Sequence, residues 1–118
     1  MYVIFTDSLY PELRMLKKGF RHCFVVRDEG PLWSVFNAGR SHFDCSYWLK
    51  SEKPTIADMA GDYSAIISYN GDLQHNNVIH SVNILSCVGI AKYVLGINQR
   101  RILTPYQLYR WLHEQSGR

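Results

Sequence analysis

Long apolar runs are missing from this 118-residue chain; none approaches the length of a membrane span. The N-terminal "MYVIFTDSLYPELR" has no basic lead and no small-residue cleavage site, so no secretory signal is expected. Like charges never run beyond two residues, and no basic stripe alternates with aromatics. The formal net charge of +3 allows weak attraction to anionic partners without demanding it. Nucleic acid is therefore not a favoured partner. Cysteine is scarce: Cys23, Cys45 and Cys87 are odd in number and far apart, with no CxxC pair. That excludes a disulfide framework and fits a reducing compartment. No glycine loop has phosphate-binding form, since "NAGRSHFD" lacks the lysine and the spacing.

What remains suits one folded domain, residues 1–118. Hydrophobic residues make up 47% and charged residues 19%, a balance that buries a core rather than staying unfolded. "MYVIF" reads as a short central strand. "DSLYPELRMLKKGF" places Leu9, Leu13 and Leu16 at helical spacing with Gly19 as the stop. Residues 22–27 and 32–37 are β runs around the turn signal "DEGP", and "HFDCSYWLK" is an edge-like strand. "KPTIADMAGDY" is a short helix capped by Thr55 and ended by Gly61, with Asp58 and Asp62 on a solvated face. "YSAIISY" is a strand and "NGDLQHNN" a polar loop. "SVNILSCVGIAKYVLG" is the most apolar helix, ending at Gly96. In "TPYQLYRWLHEQ" Thr104 caps, Pro105 takes the first helical position and Gln107 completes a capping box. Leu108, Trp111 and Leu112 form its core stripe, which leaves Tyr106 or Tyr109 as candidates for the surface. The sum is an α+β fold, an antiparallel sheet with helices packed on one side.

The chemistry concentrates in "HCFVVRDEGPLWSVFNAGR". A four-residue loop from Asp28 to Pro31 would set Val26 against Trp33, Phe24 against Val35 and His22 against Asn37. A carboxamide oxygen facing an imidazole fixes its tautomer and leaves the second ring nitrogen free. Such a histidine serves a nucleophile. The candidate nucleophile is Cys87, near the start of the most apolar helix, where backbone N–H groups, the macrodipole and an imidazolium all favour a thiolate. Ser86 and Gly89 keep the approach open. Each residue alone has a plainer reading: Cys87 as a small buried hydrophobe, His22 as a strand-end residue, Asn37 as a turn residue. Their combination is more specific. His42, just past the Gly39-Arg40 turn, is the rival base. His75 and His80 with Cys87 or Cys23 lack the close pairing of a structural zinc site, so no metal is expected.

"HCFVVRDEGPLWSVFNAG" resembles the histidine strand, hairpin and asparagine strand of papain-like cysteine peptidases. There the cysteine helix comes first in the chain; here it comes last. That order is similar to the circularly permuted papain-like group, which includes lecithin:retinol acyltransferase relatives. "CVGIAKYVLGINQRRILTPYQLYRWL" in turn resembles small proteins of tailed bacteriophages. The resemblance implies a single permuted papain-like domain and a cysteine hydrolase, peptidase or amidase, that works through an acyl-enzyme without a cofactor. Cys87 would be the nucleophile, His22 the base and acid, and Asn37 the orienting group. The oxyanion would rest on the Cys87 N–H and one further donor. Ser81 stands where the papain pattern has glutamine, which leaves Asn83 or Gln74 for that role. A phage protein would meet its peptide or protein substrate, or a phage or host partner, in the host cytoplasm or the virion. The competing expectation is a non-catalytic module of the same fold in virion assembly or host-protein binding.

Overall fold

The computed structural model describes residues 1–8, 14–38, 43–69, 86–97, 99 and 101–116. Five strands, β1 (Tyr2–Thr6), β2 (His22–Asp28), β3 (Leu32–Ala38), β4 (Phe43–Leu49) and β5 (Ala65–Ser68), form one antiparallel sheet in the order β4-β3-β2-β1-β5. Three helices accompany it: α1 (Ile56–Ala60), α2 (Ser86–Leu95) and α3 (Pro105–Ser116). The architecture is α+β. Among the described residues no helix is long and apolar enough to cross a membrane.

Alternation along β1 and β2 divides the core. Val3, Phe5, Cys23 and Val25 point to one face and pack with Val88, Ala91 and Leu95 of α2 and Leu108 and Leu112 of α3. Ile4, Val26, Trp33 and Val35 point to the other and pack with Met59 and Ala60 of α1. The helices are thus not all on one side. The two longer ones share a face, and α1 closes the other with Met59 and Ala60, which are buried in one cluster with Ile4, Val26, Trp33 and Val35. With both faces covered, the middle of β1 is fully buried, as its unbroken apolar run suggests.

The caps follow the sequence. Asp58 N–H donates to Thr55 Oγ1 at 3.2 Å and Thr55 N–H donates to Asp58 Oδ2 at 3.1 Å, so Asp58 is half of a capping box rather than an idle surface acid. At α3, Gln107 N–H donates to Thr104 Oγ1 at 3.2 Å and Thr104 N–H to Gln107 Oε1 at 3.1 Å. Gly96, at φ 72°, ends α2. Ile97 N–H reaches Lys92 O at 2.9 Å and Gly96 N–H reaches Tyr93 O at 3.2 Å, the paired bonds of a Schellman motif.

Two local expectations are corrected. Leu9 and Leu13 lie outside the described residues, and residues 14–20 form turns rather than the end of a helix. Gly19 adopts φ 87° within a turn closed by Phe20 N–H to Lys17 O at 2.9 Å. The turn delivers Phe20 into an aromatic cluster, 5.9 Å from Phe5, 5.2 Å from Tyr106 and 4.8 Å from Tyr109 between ring centroids. That cluster also explains why Tyr106 and Tyr109 are both half-buried.

The second correction is the β2–β3 register. Val26 pairs with Val35 and Asp28 with Trp33, two residues away from the pairing a four-residue loop would give. Glu29 N–H donates to Leu32 O at 3.0 Å, so the loop is Gly30-Pro31 alone. Gly30 at φ 89° supplies the positive φ that a tight II′ turn needs at its first central position. Asp28 Oδ1 accepts from Gly30 N–H at 2.9 Å and from Lys50 Nζ at 2.6 Å. A slip of two residues keeps every side chain on its original face. His22 and Asn37 still share a face, but as diagonal neighbours rather than direct opposites.

Candidate active site

His22 opens β2, held by pairing with Thr6 of β1. Asn37 lies near the end of β3, paired with Asp44 of β4. Diagonal neighbours across a ladder are within reach of long side chains. Here the His22 Nε2 and the Asn37 Oδ1 meet at 2.8 Å. With Nε2–H donating to the carboxamide oxygen, Nδ1 is the ring nitrogen left for another partner.

That partner is Cys87, the second residue of α2. The helix packs across β2 and β3 and is pinned by Val88, Ala91 and Leu95, all essentially buried. Its first turn therefore lies against the start of β2. The Cys87 thiol is 7% exposed and interacts with two consecutive residues of that strand, Cys23 and His22. Neighbouring strand residues ordinarily point to opposite faces. Both reach one sulfur here: Cys23 does so from the face that packs against α2, and His22 is the first residue of the strand.

These contacts set the electrostatics. The Cys87 pKa falls from the ordinary 9.0 to about 5. The hydrogen bond from the Cys23 side chain contributes most, burial opposes it, and the His22 imidazole lowers it further by hydrogen bond and charge. His22 moves the other way. Burial alone would lower its pKa, but the Cys87 thiolate and the Asn37 oxygen outweigh burial and raise it. Cys23 is pushed well above the ordinary thiol value, by its bond to Cys87 and by burial. These shifts all favour a Cys87 thiolate beside a His22 imidazolium, with Cys23 a neutral thiol.

Of the expected site residues, then, Cys87, His22 and Asn37 are brought together. Asn83 and Gln74, the candidate oxyanion donors, lie outside the described residues, as do Ser81, His42, His75 and His80. Cys45 is exposed on the edge strand β4. Among the described residues no group of three or more His, Cys, Asp or Glu could hold a metal ion.

Two residues with consequences for this region carried no motif. In the sequence Cys23 stands only as one of three separated thiols and an unsupported zinc ligand; its place follows from alternation, which turns it under α2. Lys92, also of α2, is 9% exposed. Its Nζ donates to Gln99 O at 3.1 Å and Ile102 O at 2.8 Å, which ties the segment leading to α3 back onto α2. Burial lowers its pKa. No protein-family model, curated protein or solved structure matches this chain.

Proposed function

We propose that this protein is a small cysteine hydrolase, a peptidase or amidase with a permuted papain-like arrangement in which Cys87, His22 and Asn37 act in turn. The observation that carries the reading is the continuous chain from Asn37 Oδ1 through the His22 ring to the lowered-pKa sulfur of Cys87. A buried ion pair of this kind is a poor way to gain stability and a good way to arm a nucleophile.

The chemistry follows from the groups present. The Cys87 thiolate adds to a carbonyl carbon, a C–S bond forms and the carbonyl electrons move to oxygen. In this reading the Cys87 backbone N–H stabilises that oxyanion, with Asn83 or Gln74 as the proposed second donor. His22 gives its Nδ1 proton to the leaving nitrogen as the C–N bond breaks, which leaves a thioester and a neutral imidazole. The imidazole then takes a proton from water, the hydroxide adds to the thioester, and collapse releases the acid and restores the thiolate. Asn37 holds the ring in one orientation through both half-reactions. No metal or organic cofactor enters these steps. Following the phage resemblance, the substrate is a peptide or protein met in the host cytoplasm or the virion.

The non-catalytic alternative draws on the 7% exposure of Cys87, small for a sulfur that must meet a substrate. An electrophilic peptidyl probe separates the two. A hydrolase gives a covalent adduct at Cys87 that disappears in Cys87→Ala and falls about 10²–10⁴-fold in rate of formation in His22→Ala. Labelling confined to Cys45 removes the hydrolase reading and leaves the module.

A further inference from the structure

The sulfur of Cys87 has a partner that a nucleophile–base–orienter triad does not require. Cys23 is 0% exposed, sits opposite Phe5 in the β1–β2 ladder and belongs to the same core cluster as Cys87 and Val88. Both cysteines are free thiols. The adjoining positions on that face, Val25 in β2 and Val3 and Phe5 in β1, are plainly apolar. Of the four buried residues that β1 and β2 give to this cluster, Val3, Phe5, Cys23 and Val25, Cys23 alone has a side-chain proton to give.

We propose that Cys23 is a positioning residue for Cys87, its buried S–H donating to the Cys87 sulfur while the adjacent strand residue His22 addresses the same sulfur. The inference rests on the hydrolase reading and deepens it. A thiolate has several lone pairs and one covalent bond, so the Cys23 S–H, added to the Cys23 N–H and the His22 ring, narrows where its nucleophilic lobe points. Cys23 keeps its proton for an elementary reason. A second thiolate at this spacing in a buried site would set two like charges against each other, so once Cys87 has ionised Cys23 stays neutral and remains a donor.

Among the described residues, the titratable groups against the Cys87 sulfur are Cys23 and His22 of β2. β3 contributes the neutral Asn37, through His22, and the partly buried Phe36. α3 brings Leu108 and Leu112, with Tyr109 and Trp111 partly buried, to the same cluster. In α2 itself the Lys92 ammonium is engaged by the Gln99 and Ile102 carbonyls.

The test is the ionisation midpoint of Cys87, followed by thiolate ultraviolet absorbance in a Cys45→Ser background. Cys23→Ala removes the donor and is expected to raise the midpoint by about one to two pH units, the worth of a hydrogen bond to a charged group. Cys23→Ser restores a donor and is expected to bring the midpoint back most of the way, a rescue that mere filling of space does not produce. The unaltered protein supplies a check that needs no core substitution. With cysteine labelled at Cβ, carbon NMR should show Cys23 still a thiol across the pH range in which Cys87 ionises. If Cys87 ionises low but Cys23→Ala leaves its midpoint in place, or if Cys23 and Cys87 titrate together, this inference is wrong and the hydrolase reading stands. If Cys87 in the unaltered protein titrates as an ordinary thiol, the hydrolase reading falls first and takes the inference with it.

Discussion

The reactivity of Cys87 in acid is the sharpest consequence of the site, and its size can be worked out. Let pH be the perturbation and a pyridyl disulfide the probe, with Cys45→Ser removing the exposed thiol. The reference is a short peptide of residues 84–90, whose thiol is taken at the ordinary 9.0. At pH 5.5 a Cys87 with pKa about 5 is mostly thiolate, while the reference is ionised to about three parts in ten thousand. The thiolate fractions differ by about 2,000-fold. A less basic thiolate is also a weaker nucleophile. With a Brønsted coefficient of about 0.4–0.5 over the interval from 9.0 to about 5, this takes back about 60-fold. The protein should therefore exchange about 40-fold faster than the peptide at pH 5.5. At pH 7 the same arithmetic leaves only about a twofold difference, because the gain in fraction and the loss in nucleophilicity nearly cancel. A neutral-pH comparison would thus miss the effect. The expected profile is flat from pH 8 down to about 6, falling only as Cys87 protonates. A rate that drops about tenfold per pH unit from 8 to 5 would refute the low thiol pKa and the ion pair behind it.

Three further outcomes follow from particular contacts. Asn37→Ala removes a hydrogen bond that favours the charged ring, so the His22 pKa should fall, read by proton NMR of the imidazole; turnover should drop by about 10²-fold as the ring loses its orientation. Gly30→Ala introduces a Cβ with no atom within 4 Å, so only the backbone at φ +89° resists it; urea unfolding should report a loss of about 1–2 kcal/mol with the slope unchanged. Lys92→Met keeps the packing of α2 but withdraws the ammonium from the Gln99 and Ile102 carbonyls; the loss should be about 1–3 kcal/mol, seen as a lower thermal midpoint.

Much of the local structure was legible because its causes are local. Thr55 with Asp58, Thr104-Pro105 with Gln107, and Gly96 after Leu95 are caps whose donors and acceptors lie within a few residues of each other, so spacing alone identifies them. The β runs were legible because alternation is a period-two property of the chain. Legibility failed where a distant neighbour decides. Leu16 and its neighbours have helical spacing, yet Phe20 is drawn into the ring cluster with Phe5 and Tyr109, and the residues before it form turns. The hairpin register differs by two residues from the expected one because "DEGP" admits either a four-residue loop or a II′ turn at Gly30-Pro31. The choice is settled by the whole ladder that β3 makes with both its neighbours.

The sequence by itself determined that His22 and Asn37 share one face of a hairpin. Parity along a strand survives any slip of two residues, so either register leaves them together. Only the tertiary structure decided that Cys87, separated from them by much of the chain, comes to rest at the start of β2. That placement depends on where α2 settles on the sheet, which follows from the fit of Val88, Ala91 and Leu95 against Val3, Phe5 and Val25. No periodicity or spacing encodes such a fit. The partnership of Cys23 with Cys87 belongs to the same category, since a strand residue and a helix residue meet only once helix and sheet have packed.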